Sequence, residues 1–176
     1  MGVGHGVVGM SEMTAHGLSV TLHRGWDAEI YRRDAAPAAP AGLVAGPDGA
    51  ATSGDPGFTY PTILHLATFA LPPQRGDYGG GALAAMGTTD LFLTLFEYTE
   101  GGTGALFGRE GVPWPLSGDD FSPSAVRVPQ GNQTGCQRFF TVNGRSFGLY
   151  VVLGSHTLRA LLAARVNAAL AGVRID

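Results

Sequence analysis

The sequence predicts an α+β domain, a mainly antiparallel β-sheet with a long C-terminal helix packed on it. Three observations carry that expectation. Runs with a two-residue apolar period recur along the chain, as strands with one buried face require. An Asn143-Gly144 pair sits between two such runs and fits a tight type I′ hairpin turn. Near the C-terminus the period changes to that of a helix.

Each element follows in order. In "GLSVTLHRGWDAEIYRR", Leu18, Val20 and Leu22 alternate with Ser19, Thr21 and His23. Beyond Arg24-Gly25, Trp26, Ala28 and Ile30 alternate with Asp27, Glu29 and Tyr31, so the stretch reads as an opening hairpin. Residues 34–61 have no period and are rich in Ala, Gly and Pro, which predicts a long flexible loop. "TILHLATFAL", residues 62–71, is apolar on both parities and predicts a central strand covered on both faces. "RGDYGGG" is a turn, "ALAAM" one or two helical turns, and "DLFLTLFEY", residues 90–98, a further strand. A second irregular excursion occupies 99–123, and "SAVRV" reads as a short edge strand.

The hairpin around Asn143-Gly144 follows. Its register pairs Val142 with Arg145, Phe140 with Phe147, Arg138 with Leu149 and Cys136 with Val151. Those residues share one face, and Gln137, Phe139, Thr141, Ser146, Gly148, Tyr150 and Val152 share the other. "TLRALLAARVNAALAG" then places Leu158, Leu161, Leu162, Val166, Ala169 and Val173 on one helical face. Ser155 or Thr157 is expected to cap its start and Gly172 its end. A "VRI" tail closes the chain. The organisation expected is a disordered extension over 1–16 and a single domain over 17–176, with long loops at 34–61 and 99–123.

Composition narrows the function. The chain has 176 residues, enough for one domain with a real core. Charged residues are only 14%, against roughly 25% in an average soluble domain. All 11 basic residues are Arg, which we read as GC-rich codon usage, and they are scattered in a chain of net charge −3. No basic stripe is present to neutralise a phosphate backbone, so nucleic acid is not an expected partner. The single Cys excludes an intramolecular disulfide framework and a Cys-based zinc site. Without a basic–apolar leader or a stretch of 18 apolar residues, the expectation is a cytoplasmic protein with no membrane partner.

The opening stretch "GLSVTLHRGWDAEIYRR", through its Gly25-Trp26 pair, resembles the first hairpin of the PsbP-like superfamily. The closing "VNAALAGVRI" is similar to the helix and terminal strand that end those domains. The resemblance implies an α/β/α sandwich, and a binding or assembly role rather than catalysis.

The residues themselves point the same way. His5, His16, His23, His65 and His156 show no metal-ligand spacing, and Ser155-His156 are chain neighbours whose side chains diverge. Cys136 lies on an apolar face, which raises a thiol pKa and predicts an inert core cysteine. "GDYGGGA" lacks both phosphate-binding glycine signatures. "RGD" at Arg75–Asp77 and the "NQT" sequon at Asn132 are taken as chance matches. No catalytic constellation and no cofactor fingerprint emerge, so no cofactor or metal is expected.

Arg138, on an apolar face, needs water, an internal carboxylate or an anionic ligand. Tyr150 and Gln137 give the opposite face polar tips over an aromatic floor. Phe58, Tyr60, Tyr78, Phe107, Trp114 and Phe121 are more aromatics than solvated connections need, and loop aromatics build interfaces. The expected function is a non-catalytic protein-binding or assembly module, with Arg138, Gln137, Tyr150, Tyr78 and Trp114 as candidate contacts. The alternatives are a small-molecule site in which Arg138 anchors an anionic ligand, and a structural subunit of a larger assembly.

Overall fold

The computed structural model describes residues 11–32, 61–98, 105–126 and 129–176. Among them are eight strands in two antiparallel sheets and two helices. The smaller sheet has the order β1 (Ser11–Ala15), β2 (Leu18–Leu22), β8 (Val173–Ile175). The larger has the order β3 (Asp27–Arg32), β4 (Thr62–Ala67), β5 (Leu91–Tyr98), β7 (Arg145–Leu153), β6 (Thr134–Val142). Helix α1 is a single turn, Gly80–Leu83, and α2 spans Arg159–Leu170.

The α+β class and the antiparallel sheet are therefore present. The C-terminal helix is not long: α2 has 12 residues. Leu162, Val166 and Ala169 are buried as expected and Leu170 is buried with them, but Leu161 is 64% exposed and lies outside the buried stripe. Its N-cap position is Leu158, with no side-chain cap. Ser155 Oγ accepts from the Leu158 amide at 3.4 Å, just ahead of the helix, and Ser155 and Thr157 also accept hydrogen bonds from Asn132 Nδ2, at 3.2 and 3.0 Å. At the other end Ala171, not Gly172, is the C-cap. Gly172 is needed for closeness, since a Cβ there would stand 2.9 Å from the Thr21 carbonyl oxygen.

The opening hairpin is corrected. β2 pairs with β1 and β8, whereas β3 pairs with β4 in the other sheet. Turn geometry explains this. His16 and Gly17, between β1 and β2, both have positive φ (54° and 71°), as a two-residue hairpin turn requires. Between β2 and β3 the Trp26 amide bonds the His23 carbonyl, and of the two central residues only Gly25 has positive φ. That pattern is a type II turn, which splays strands and sends them to separate sheets. Strand β1 also corrects the expected extension over 1–16, because 11–15 are paired sheet; 1–10 lie outside the described residues. The edge strand expected at "SAVRV" is corrected at its start, where Ser124 and Ala125 belong to a 3₁₀ turn, Pro123–Ala125, capped by Ser122; 127 and 128 lie outside the described residues. The loop expected at 34–61 falls, but for Pro61, outside the described residues.

The hairpin of β6 and β7 has the expected register throughout, with Asn143 and Gly144 both at positive φ. Register fixes the faces of the larger sheet. Its inner face presents Leu64, Leu66, Leu93, Leu95, Phe147 and Leu149, all buried, to α2 and to Leu18 and Val20 of the smaller sheet. Each such fully buried side chain is worth about 1.5–3 kcal/mol, so this interface holds the two sheets together. On the outer face, α1 covers one part, where Ala82 and Leu83 meet Ala67, Phe92 and Val152.

Candidate partner-binding surface

The rest of the outer face is aromatic. Alternation on β5 sends Phe96 and Tyr98 outward, and Phe139 emerges on β6. Between them β7 contributes Gly148, whose missing side chain leaves room for two rings. A Cβ there would stand 3.1 Å from Tyr98 Cε2 and 3.4 Å from Phe139 Cε1.

Two connections add to this floor. Tyr78 stacks on Phe96 with centroids 5.0 Å apart. Phe107, in the 3₁₀ turn Ala105–Phe107, meets Tyr98 at 5.2 Å and Phe139 at 5.4 Å. That turn is tied to β6, because Thr141 Oγ1 donates to the Phe107 carbonyl (2.9 Å) and the Thr141 amide to the Arg109 carbonyl (2.8 Å). Five rings from four chain segments thus form one edge-to-face and stacked cluster, the geometry aromatic quadrupoles favour. Phe96, Tyr98, Phe107 and Phe139 are half-buried and Tyr78 is 51% exposed, so the cluster is open. Burial, with the Tyr78 hydroxyl nearby, pushes the Tyr98 phenol up to about 12, so it stays neutral.

Beside this cluster a polar network fixes the segment that carries Tyr78. His65 of β4 is fully buried on the outer face. Arg75 Nε donates to its Nδ1 at 2.7 Å, and its Nε2 lies 2.7 Å from the Asp77 carbonyl oxygen. Because guanidinium only donates, Nδ1 must accept and the proton sits on Nε2, giving a neutral imidazole. Burial lowers its pKa to about 4. Arg75 also donates to the Pro72 carbonyl (2.8 Å) and pairs with Glu29, while Tyr31 Oη reaches Asp77 Oδ1 at 3.3 Å. Arg75 is only 8% exposed, so the "RGD" tripeptide is not displayed for recognition.

Of the five candidate contacts, the outer face brings together Tyr78, Gln137 and Tyr150; the last two are opposite each other across β6 and β7. Arg138 and Trp114 do not join them. Arg138 is on the inner face at the sheet edge, where its Nη2 meets Asp120 Oδ1 at 2.5 Å and its Nη1 donates to the Gln137 carbonyl. An internal carboxylate, not an open pocket, answers its charge. Trp114 is 48% exposed, and among the described residues no ring contact joins it to the cluster.

The loop aromatics divide the same way. Phe121 is buried in the core, Tyr78 and Phe107 are in the outer cluster, and Phe58 and Tyr60 lie outside the described residues. Phe96 and Tyr98, which sequence reasoning treated as strand residues only, are the centre of the surface. The signal for them was available: Phe96 and Tyr98 alternate with Leu95 and Glu97 and share the parity of Phe139 through β7.

Cys136 is buried, and burial pushes its thiol up, as an inert core cysteine requires. Among the described residues no group of three or more His, Cys, Asp or Glu could hold a metal ion, and no helix is long and apolar enough to cross a membrane. A cavity of about 10 Å³ between the inner face, α2 and β8 is lined by apolar residues including Leu64, Leu93 and Leu170. It offers about one water's room with no polar partner, and it cannot be a ligand site. Comparison with protein-family models, with curated proteins and with solved structures finds no match to this chain.

Proposed function

We propose that this chain is a non-catalytic protein-binding or assembly module that docks a protein partner on the aromatic outer face of its larger sheet. The observation that carries the reading is the open cluster of Tyr78, Phe96, Tyr98, Phe107 and Phe139, drawn from separate segments and half-exposed. Rings that are rigid, already packed and still accessible lose little entropy on binding, which suits them as interface anchors. The Arg138–Asp120 pair argues against the anionic-ligand alternative, since the guanidinium already has its counter-charge. PsbP-like kinship, with its α/β/α layering, is part of the proposal. Its supports are α2 and α1 on opposite faces of the larger sheet and the α2–β8 ending, whereas the opening hairpin no longer contributes.

The test is photo-cross-linking in the native cell. Tyr78→benzoylphenylalanine is expected to yield a discrete heterologous adduct, and Ala164→benzoylphenylalanine on exposed α2 is expected to yield none. Phe107→Ser should weaken the Tyr78 adduct. Equal labelling at both positions, or none at Tyr78, overturns the reading. An adduct of twice the chain's own mass would instead favour a self-assembling structural subunit.

A further inference from the structure

Strand β6 is the edge of the larger sheet, and its unpaired side is not uniformly exposed. The two-residue turn makes Val142 and Arg145 a hydrogen-bonded pair, so in an antiparallel ladder Phe140, Arg138 and Cys136 also bond β7. The intervening residues Gly135, Gln137, Phe139 and Thr141 turn their amides and carbonyls away from β7.

The chain itself satisfies the two ends of that row. Gly135 exchanges both bonds with Ser122, at 3.0 and 2.9 Å. Thr141 donates to the Arg109 carbonyl and accepts from the Gly111 amide, each at 2.8 Å. Between these bridges the connecting segment leaves the edge and passes over the inner face, where Leu116 and Phe121 enter the core and Asp120 meets Arg138. A short recess remains at Gln137 and Phe139. The Gln137 carbonyl accepts from Arg138, while the amides of both residues and the Phe139 carbonyl have no partner among the described residues.

We infer that this recess is a strand-addition site, and that the partner of the proposed module enters it as an extended peptide. The inference rests on the protein-binding reading and specifies its geometry. Three facing backbone groups at alternate residues are what a strand supplies bonds to, and what a helix cannot. The bridges also choose between occupants. Pairing two β6 edges, in any register that joins open residues of both copies, sets a bridged residue of one copy opposite β6 of the other. Ser122 or Arg109 already fills that slot, so a second copy is excluded while a thin peptide is not.

Side-chain direction then sets the peptide's chemistry. Residues opposite Gln137 and Phe139 point to the outer face and meet Phe139, Tyr150 and the aromatic cluster beyond, so they are large and apolar. The residue between them points toward the Arg138–Asp120 pair and is small or polar. Entry and exit are over the outer face, because the Asp120 segment closes the inner side.

The experiment pans a phage-displayed library of linear heptapeptides on the full chain and measures the enriched peptide by fluorescence anisotropy. Single backbone N-methylations are then placed along it. We expect one amide, the one that donates to the open Phe139 carbonyl, to cost about fivefold to tenfold in affinity, the worth of a hydrogen bond, and the amides on either side of it to tolerate methylation. On the protein side, Gln137→Pro should weaken binding similarly and Gln137→Ala should not, because proline at an outward-facing edge amide leaves the β6–β7 ladder intact.

A flat methylation profile, or no enriched peptide, overturns the strand-addition inference. So does a dimer seen by sedimentation that Gln137→Pro dissolves. If the profile is flat while Tyr78→Ala and Phe107→Ser still abolish binding, the aromatic-face reading survives and only the strand geometry is wrong.

Discussion

Acidification should destabilise the fold through His65. Its imidazole is buried and neutral with pKa about 4, against an ordinary value of 6.5. A proton on Nδ1 would face the Arg75 Nε–H donor 2.7 Å away. Between those two pKa values the unfolded chain takes up a proton that the folded chain refuses. Stability contributed by neutral His65 is thus complete above pH 6.5 and is lost as pH falls toward 4. Linkage puts the loss at about 1.4 kcal/mol at pH 5.5 and about 2.5 kcal/mol at pH 4.5. Urea melts at pH 7.5, 5.5 and 4.5 measure it, with His65→Gln as the non-titrating control. Hydrogen exchange should show the amides of 76–79 opening first, since these residues are anchored to the sheet through that ring. An equal loss of stability in His65→Gln over the same range would refute the argument, because other groups would then be responsible.

Two further outcomes follow from the ion pairs. Arg145→Met removes bonds to Glu97 Oε1 (2.8 Å) and to the carbonyls of Gly17, Asp176 and His16, and it strands a largely buried Glu97. We expect a loss of about 3 kcal/mol in a denaturant melt, the low end for breaking a buried pair, with partial recovery in Arg145→Met/Glu97→Gln. Burial raises the Glu97 carboxyl, but its bonds from Arg145 and Thr62 outweigh that and hold it below its ordinary value of 4.5, so this contribution is complete above that pH and is lost as pH falls below it, overlapping only the acid end of the His65 effect. Arg138→Ala should cost only about 0.5–1 kcal/mol, since the Arg138–Asp120 pair is about one-third exposed. Native mass spectrometry of the chain should show no small molecule that Arg138→Ala displaces.

How far the sequence disclosed this molecule depends on what each signal encodes. Asn143-Gly144 dictates both turn and register, so every face assignment along β6 and β7 could be read directly, including Phe139 over Gly148 and the inward Cys136. Alternation in β2 and β3 identified two strands but not their partners. Period two reports a buried face and is silent on which strand lies alongside. The deciding fact was the sign of φ at Arg24 and Gly25, against His16-Gly17 one turn earlier. The candidate surface was half legible, because Tyr78, Gln137 and Tyr150 were identified while Phe96 and Tyr98 were absorbed into a strand. The His65–Arg75 contact was out of reach of local pattern, although a lone histidine in the all-apolar run "TILHLA" had to find buried partners somewhere.

Strand β2 has one neighbour adjacent in sequence and the other at the far end of the chain, since Leu18 is opposite Ile175. During synthesis the hairpin of β1 and β2 emerges before the other described elements, yet its second edge and the apolar side chains of Leu18 and Val20 wait for β8. The nascent chain must therefore shelter an early, sticky hairpin until nearly all of the larger sheet and α2 have been made. Closure of the smaller sheet is a long-range, late event of the kind that slows folding and invites capture by chaperones.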